Sequence, residues 1–247
     1  MLRNLMQDER MSMENRELPF VREMFDSIAP RYDLLNRLLS LRQDVVWRRK
    51  MVAAMDIPDG GRVLDVACGT GDVAMEIRRR KGPSVRVVGI DFSAGMLRLA
   101  REKTGGDGDT PIALIAGDAL ALPFSAASFH AVTIAFGIRN IQNKAAALKA
   151  FHGSLAPGGM VLVLELATPQ KPWLRGLYLT YFNKLLPLVG RCFSKHRFAY
   201  TYLPDSVSRF PAAETFMNQM RQAGFAQVSC RRLTLGIANL FTAIKPG

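Results

Sequence analysis

A chain of 247 residues, 49% hydrophobic and 22% charged, can build the core of one α/β domain and is too apolar to be a disordered protein. Its formal net charge of +12 calls for a partner with negative charge: nucleic acid, an anionic membrane surface or an anionic cofactor. The three cysteines, Cys68, Cys192 and Cys230, lie far apart with no CxxC pair. That pattern offers neither a zinc site nor a disulfide framework and suits a reducing, cytoplasmic setting.

Residues 1–17 are polar and mixed in charge; they read as a flexible N-terminus without a signal peptide, with Met6, Met11 and Met13 as alternative starts. Residues 18–247 read as a single domain. It opens with a helical cap over 18–56, in which Val21, Phe25 and Ile28 share a face. Leu34, Leu35, Leu38 and Leu39 form a second apolar group at helical spacing. Ala29-Pro30 interrupts the cap, because proline disfavours helix in the residue before it. Pro58-Asp59-Gly60-Gly61 predicts a turn.

A strand–helix alternation follows. The pattern predicts strands over Arg62–Ala67, Val85–Ile90, Ile112–Ala116, Phe129–Phe136 and Met160–Leu166. Between them it predicts helices over Asp72–Arg80, Ala94–Lys103 and Lys144–Leu155, a loop at Gly105–Asp109 and a turn at Pro157-Gly158-Gly159. Residues 168–205 break the rhythm. A helix over Ala212–Ala223, ended by Gly224, leads to strands near Ala226–Leu233 and Ile237–Ile244. The expected fold is a mostly parallel seven-stranded sheet with helices on both faces, closed by a final strand pair. That is the plan of Rossmann-like class I methyltransferases dependent on S-adenosylmethionine (SAM). The most apolar stretch, Gly176–Gly190, falls short of the roughly 20 residues a membrane span needs and contains Asn183, Lys184 and Pro187. No transmembrane helix is expected.

The first strand runs into Asp65-Val66-Ala67-Cys68-Gly69-Thr70-Gly71-Asp72. Glycines there let the backbone turn sharply and approach a ligand, and the next helix presents free N–H groups at its start. Gly69, Thr70 and Gly71 are therefore expected to cradle the methionine carboxylate of SAM, and Asp65 its ammonium. Asp91, ending strand two, can accept from both ribose hydroxyls. Asp118, after strand three, can accept from the adenine amino group while the Ala119 N–H serves a ring nitrogen. A dinucleotide site is the rival, but Ala74 stands where its third glycine belongs. Cys68 reads as a small buried residue rather than a nucleophile. No metal-ligand cluster is apparent.

The end of strand four is the usual place for catalytic residues. Here it reads Ala135-Phe136-Gly137-Ile138-Arg139-Asn140, not the Asn/Asp-Pro-Pro-Tyr/Phe of amino-methylating nucleic-acid enzymes. No cysteine follows a proline, as cytosine-C5 enzymes require, so nucleic acid is not the expected partner. His130 and His152 read as structural or solvated, and Trp47 as core.

Tyr32-Asp33-Leu34-Leu35-Asn36-Arg37-Leu38-Leu39-Ser40, with Trp47 beyond it, resembles a signature of the quinone-biosynthesis C-methyltransferases. These act on demethylmenaquinol and on polyprenyl benzoquinols. Leu35 replaces the family's methionine and Asp44 its histidine. Leu155 through Glu165 is similar to a second signature, altered at Gly153, Ser154, Ala156 and Ala167. Phe136–Asn140, Tyr200–Ser206 and Leu233–Ile237 also match, and the likeness spans roughly 20–245. Some members carry a serine credited with cofactor contact where this chain has Ala135. The resemblance implies methyl transfer from SAM to a quinol ring carbon, with demethylmenaquinol the favoured acceptor and a polyprenyl benzoquinol the alternative. It implicates Arg139 in deprotonation. Stabilising the developing phenolate is the role that suits a permanent cation. Asn140 would orient a water or hydroxyl, and Tyr32 would close over the site. Another lipid-like acceptor, or a non-catalytic protein that binds SAM and RNA, are the further readings.

Residues 166–204 carry Lys171, Arg175, Lys184, Arg191, Lys195 and Arg197, with no acidic residue and many aromatic and aliphatic ones. The insertion at about 168–205 reads as a helical lid. It can line a pocket for a prenyl tail or rest on the anionic inner face of the cytoplasmic membrane. Homodimerisation is left open.

Overall fold

The computed structural model describes residues 22, 23, 25, 26, 29, 32–105, 112–181 and 198–247. The expected N-terminal tail (1–17), the expected loop at Gly105–Asp109 apart from Gly105, and the basic stretch 182–197, with His196, lie outside these residues.

Helix α1 covers 32–39 and α2 Gln43–Ala53, joined by a tight turn in which Leu41 and Arg42 take left-handed φ of 51° and 62°. Then come β1 (Arg62–Val66), α3 (Asp72–Lys81), β2 (Arg86–Asp91), α4 (Ala94–Thr104), β3 (Ala113–Ala116) and β4 (Phe129–Ala135). A 3₁₀ turn at Ile138–Asn140 leads to α5 (Lys144–Ser154) and β5 (Leu155–Leu166). The last elements are α6 (Pro172–Thr180), α7 (Phe198–Arg209), α8 (Ala213–Gln222), β6 (Ala226–Leu233), a 3₁₀ turn at Thr234–Gly236 and β7 (Ala238–Ile244).

The sheet order is β3-β2-β1-β4-β5-β7-β6, parallel except for β7, which runs antiparallel to both neighbours. The central strands are apolar at nearly every position because helices cover both faces. Val66, Ile134 and Val163 pack with Phe151, Phe216 and Phe241 on one face. Val63, Ala131 and Leu162 pack with Trp47, Met51 and Ile77 on the other. Asp65 alternates with Leu64 and so belongs to the α2–α3 face. Local chemistry sets the helix ends. Ser93 caps α4 by accepting from the Met96 N–H, Asn143 caps α5 through the Ala146 N–H, and the Arg78–Lys81 run meets the negative end of α3.

Two expectations change. The turn expected at Pro157-Gly158-Gly159 lies within a 12-residue strand, since Gly158 and Gly159 bond to Lys245 and extend the β5–β7 pairing beyond Met160–Ile244. The leucine group of α1 splits. Leu35 packs with Tyr178 of α6, alongside Leu39 and Tyr181, whereas Leu34 and Leu38 remain exposed. A helix 100° per residue apart places 35 and 39 on one face and 34 and 38 on another.

Candidate active site

The strand order reverses between β1 and β4, the place where open α/β sheets bind ligands. A cavity of about 310 Å³ opens there at the carboxyl ends of the strands. Of the residues expected from sequence, Gly69, Asp91, Asp118, Ala119, Tyr32 and Asn140 line it; Asp65, Thr70, Gly71 and Arg139 do not.

The cofactor half grows from the β1–α3 turn. Ala67, Gly69 and Gly71 all have left-handed φ, of 50°, 55° and 83°. Glycine adopts that conformation freely, whereas Ala67 does so at a cost. A Cβ at Gly69 would meet nothing within 4 Å, so the chain leaves open space on that side of the turn. Asp91 spans the gap between strands: its Oδ2 accepts from the Gly69 N–H (2.8 Å) and its Oδ1 from the Ser93 N–H (2.9 Å). Burial pushes the Asp91 carboxyl up, and these two N–H groups restrain the rise. Asp118 Oδ1 is tied to the Leu120 N–H (2.9 Å). Phe92, Met96 and Ile90 supply apolar wall, with Phe25 edge-on to Phe92.

Asp65 lies beneath this half, 1% exposed. Its Oδ1 accepts from the Thr133 hydroxyl (2.8 Å), while Oδ2 is buried with no hydrogen-bond partner among the described residues. Burial pushes the carboxyl up to about 7. An orphaned buried carboxylate oxygen fits a ligand that brings a cation, as the methionine ammonium of SAM does.

Thr70 faces away from the cavity. Its hydroxyl donates to Asp33 Oδ1 (2.6 Å) and accepts from Lys103 Nζ (2.9 Å). Lys103 also pairs with Asp33 and with Asp72 (2.7 Å). Burial would raise the Asp72 carboxyl, but Arg48, Lys103 and Arg37 outweigh it and leave it below the usual carboxylate range. A second tie holds Asp26 Oδ1 to the Ser93 hydroxyl and to the Gly95 N–H (3.0 Å). The N-terminal segment, which brings Phe25 and Tyr32 into the cavity wall, is thus fastened to the cofactor turn and to the start of α4. Asp33→Ala is expected to weaken SAM binding about 3–12-fold, the loss of one hydrogen-bonding partner. Turnover at saturating SAM should be preserved, as calorimetric titration beside steady-state kinetics would report.

The other half grows from the end of β4. Phe136 adopts φ 59° and Gly137 follows; a Cβ at Gly137 would lie 2.7 Å from that of Ala67, so the two turns touch. Trp47 packs 6.1 Å from the Phe136 ring, and the Arg48 guanidinium lies 5.5 Å over it. Trp47 also donates to the Thr234 hydroxyl (2.8 Å), joining two family signatures far apart in sequence. Asp44, standing where the family has histidine, pairs with Arg48 at 2.6 Å. That pair occupies i and i+4 of one helix and is legible from the sequence.

Arg139 lies behind the cavity wall, its side chain 7% exposed and paired with the fully buried Glu165. Nη1 donates to Glu165 Oε1 (2.7 Å) and to the Phe136 carbonyl (2.6 Å), and the Arg139 N–H donates to Glu165 Oε2 (3.1 Å). Nε is buried without a hydrogen-bond partner among the described residues. Burial alone would pull the guanidinium down, but Glu165 outweighs it and raises Arg139 above its usual value. Burial likewise pushes the Tyr32 phenol up, partly offset by Arg139 and Arg48, so Tyr32 is a neutral donor. Asn140 reaches the cavity beside Gln142, Asn143 and Tyr202. Sequence reasoning missed Asp33, Lys103, Glu165 and Tyr202. Asp33, Glu165 and Tyr202 carried a signal, as members of matched signatures; Lys103 carried none.

Among the described residues no group of histidine, cysteine, aspartate or glutamate can hold a metal. The profile of the ubiE/COQ5 methyltransferase family matches residues 10–245. The chain is 46% identical over 226 residues to the ubiquinone/menaquinone biosynthesis C-methyltransferase UbiE of Geobacter sulfurreducens, covering 91% of this chain and 88% of that one. It is 46% identical over 225 residues to the demethylmenaquinone methyltransferase of Deinococcus radiodurans, covering 91% and 92%. A SAM-dependent methyltransferase structure from Thermotoga maritima shares the fold at TM-score 0.62 and 18% identity, over 91% of this chain and 99% of that one. A glycine turn beside two strand-end carboxylates, a buried arginine at the end of β4 and a family match along nearly the whole chain agree: this protein belongs to the ubiE/COQ5 methyltransferase family and is a SAM-dependent methyltransferase.

Proposed function

We propose that the protein methylates a ring carbon of demethylmenaquinol. Family membership makes it a C-methyltransferase of quinone biosynthesis acting on a quinol; the naphthoquinol ring is our own reading. The observation that carries the site assignment is the contact between the two turns. Gly137 abuts Ala67, so Arg139 and Asn140 stand one turn away from the cofactor cradle.

Asp91 would hold the ribose, Asp118 and Ala119 the adenine, and Gly69 the methionine carboxylate, with Asp65 beneath taking the ammonium. SAM supplies an electrophilic methyl group on a sulfonium. Everything else falls to this chain. An aromatic carbon becomes a useful nucleophile once the neighbouring hydroxyl gives up its proton. Arg139, cationic and enclosed behind the wall, stabilises the resulting oxyanion through its charge, and Asn140 orients the hydroxyl from the cavity side. Tyr32 closes the wall and donates, and Phe25, Phe92 and Phe136 exclude water. Alignment of the reactants in such a site contributes about 7–11 kcal/mol in favourable cases.

Complementation tests the acceptor. Expressed in a bacterium lacking its quinone methyltransferase, the protein should restore methylated naphthoquinone, seen by mass analysis of extracted quinones. Restored ubiquinone alone would favour the benzoquinol reading, and no change in either pool would refute both.

A tailed quinol resides in the bilayer, and among the described residues no helix is long and apolar enough to cross one. Trp173 and Leu177, a turn apart on α6, are both 64% exposed, and the same segment carries the exposed cations Lys171 and Arg175. This face suits peripheral contact with an anionic membrane. Liposomes containing anionic lipid should retain the protein at low salt and release it at high salt. Trp173→Ala/Leu177→Ala should reduce retention, and equal binding of the variant would remove this face from consideration.

A further inference from the structure

The side-chain orientation of Asn140 has a determinant of its own. Its backbone is fixed by the 3₁₀ turn, where the Asn140 N–H donates to the Gly137 carbonyl (3.0 Å). Nothing in that bond chooses between the two ways round of the side-chain carboxamide, which exchange a hydrogen-bond acceptor for a donor pair. The choice is chemically decisive. With Nδ2 toward the cavity, Asn140 stabilises negative charge growing on a substrate oxygen; with Oδ1 toward the cavity, it repels that charge.

Tyr202 comes from α7, 62 residues away in sequence, and also lines the cavity. Its hydroxyl donates to Asn140 Oδ1 at 3.0 Å. Two physical arguments support that polarity. A phenol O–H is a stronger donor than an amide N–H, and an amide oxygen is a better acceptor than a phenol oxygen. The Tyr202 oxygen also lies in the field of the Arg139 guanidinium, which attracts its lone pairs and leaves the proton to the amide. We propose that Tyr202 is a positioning residue: its hydroxyl holds Asn140 Oδ1 so that Nδ2 is presented to the acceptor oxygen of the quinol. This rests on the assignment of Asn140 to the acceptor half of the site. It also gives a purpose to the Tyr200–Ser206 signature, which the cofactor and the arginine leave unused.

A double-mutant cycle on the full-length protein tests this, with a short-chain demethylmenaquinol as probe and kcat, quinol KM, SAM affinity and melting temperature measured for each variant. Tyr202→Phe removes one oxygen and keeps the ring, so the fold should survive. We expect kcat to fall about 3–12-fold, the weight of one hydrogen bond, with SAM affinity and melting temperature unchanged. In an Asn140→Ala background, Tyr202→Phe should cost nothing more, because there is no amide left to orient. A merely structural role for Tyr202 would lower stability and leave this non-additivity absent. Wild-type kcat in Tyr202→Phe beside an impaired Asn140→Ala would overturn the positioning role alone, as would losses that multiply in the double variant. Full turnover in Asn140→Ala would overturn the site reading, and the positioning role with it.

Discussion

Arg139→Ala should lower kcat by about 100–1,000-fold, the usual range for removing one preorganised electrostatic contribution to a developing oxyanion. SAM affinity should hardly change, because Arg139 lies outside the cavity lining, behind the end of β4 rather than at the β1–α3 turn. The variant will also be less stable. Glu165 is fully buried and would lose its ion-pair partner, a loss of about 3–5 kcal/mol for a broken buried pair. Stability and catalysis therefore need separating. Arg139→Ala/Glu165→Gln removes the unpaired carboxyl and should regain much of the melting temperature, while kcat stays at the level of Arg139→Ala. Recovery of turnover along with stability would reduce Arg139 to a structural residue. Loss of SAM binding in either variant would place it in the wrong half of the site.

Asp65 should make SAM binding depend on pH. Its carboxyl is pushed up to about 7 by burial, so near neutrality the unliganded protein is a mixture of protonated and ionised forms. An ammonium ligand favours the ionised form. SAM should consequently bind more tightly as pH rises from about 6 to 8, and binding below pH 7 should release a proton, visible as a buffer-dependent heat. The unliganded fold has the opposite dependence. A carboxyl raised in the folded state holds its proton more tightly there than in the unfolded chain. Its contribution to stability is complete below pH 3.8 and declines as pH climbs to about 7. Asp65→Asn keeps the shape and cannot ionise. It should raise the melting temperature of the unliganded protein at pH 8, weaken SAM binding about 10–100-fold, and flatten the pH dependence of affinity. A variant with undiminished affinity would show that the ammonium binds elsewhere.

The sequence announced the scaffold because buried parallel strands read as continuous apolar runs, and each of the first four ends in chemistry: Asp65, Asp91, Ala116-Gly117-Asp118, and Phe136–Asn140. Glycine at Gly69 and Gly71 carried its meaning through left-handed backbone that other residues avoid. What a linear pattern could not supply was direction. Thr70 sits between two cradle glycines, yet its hydroxyl is turned to Asp33 and Lys103. Arg139 and Asn140 are neighbours, yet one lies behind the wall and one in it, because successive residues of a 3₁₀ turn point about 120° apart. Pairing at a distance was equally hidden. Trp47 meets Thr234, Asn140 meets Tyr202, and Arg139 meets Glu165 only once the sheet has assembled. The exception proves instructive: Arg48 and Asp44, four apart on one helix, needed no tertiary information.

The most direct test incubates purified protein with methyl-labelled SAM and a reduced short-chain demethylmenaquinol, then measures label and mass in the quinone product. The account predicts a naphthoquinone one methyl heavier, labelled on a ring carbon, and formed at least about 100-fold more slowly by Arg139→Ala. Label on a ring oxygen, or a protein that binds SAM tightly yet transfers nothing to the naphthoquinol, would contradict it.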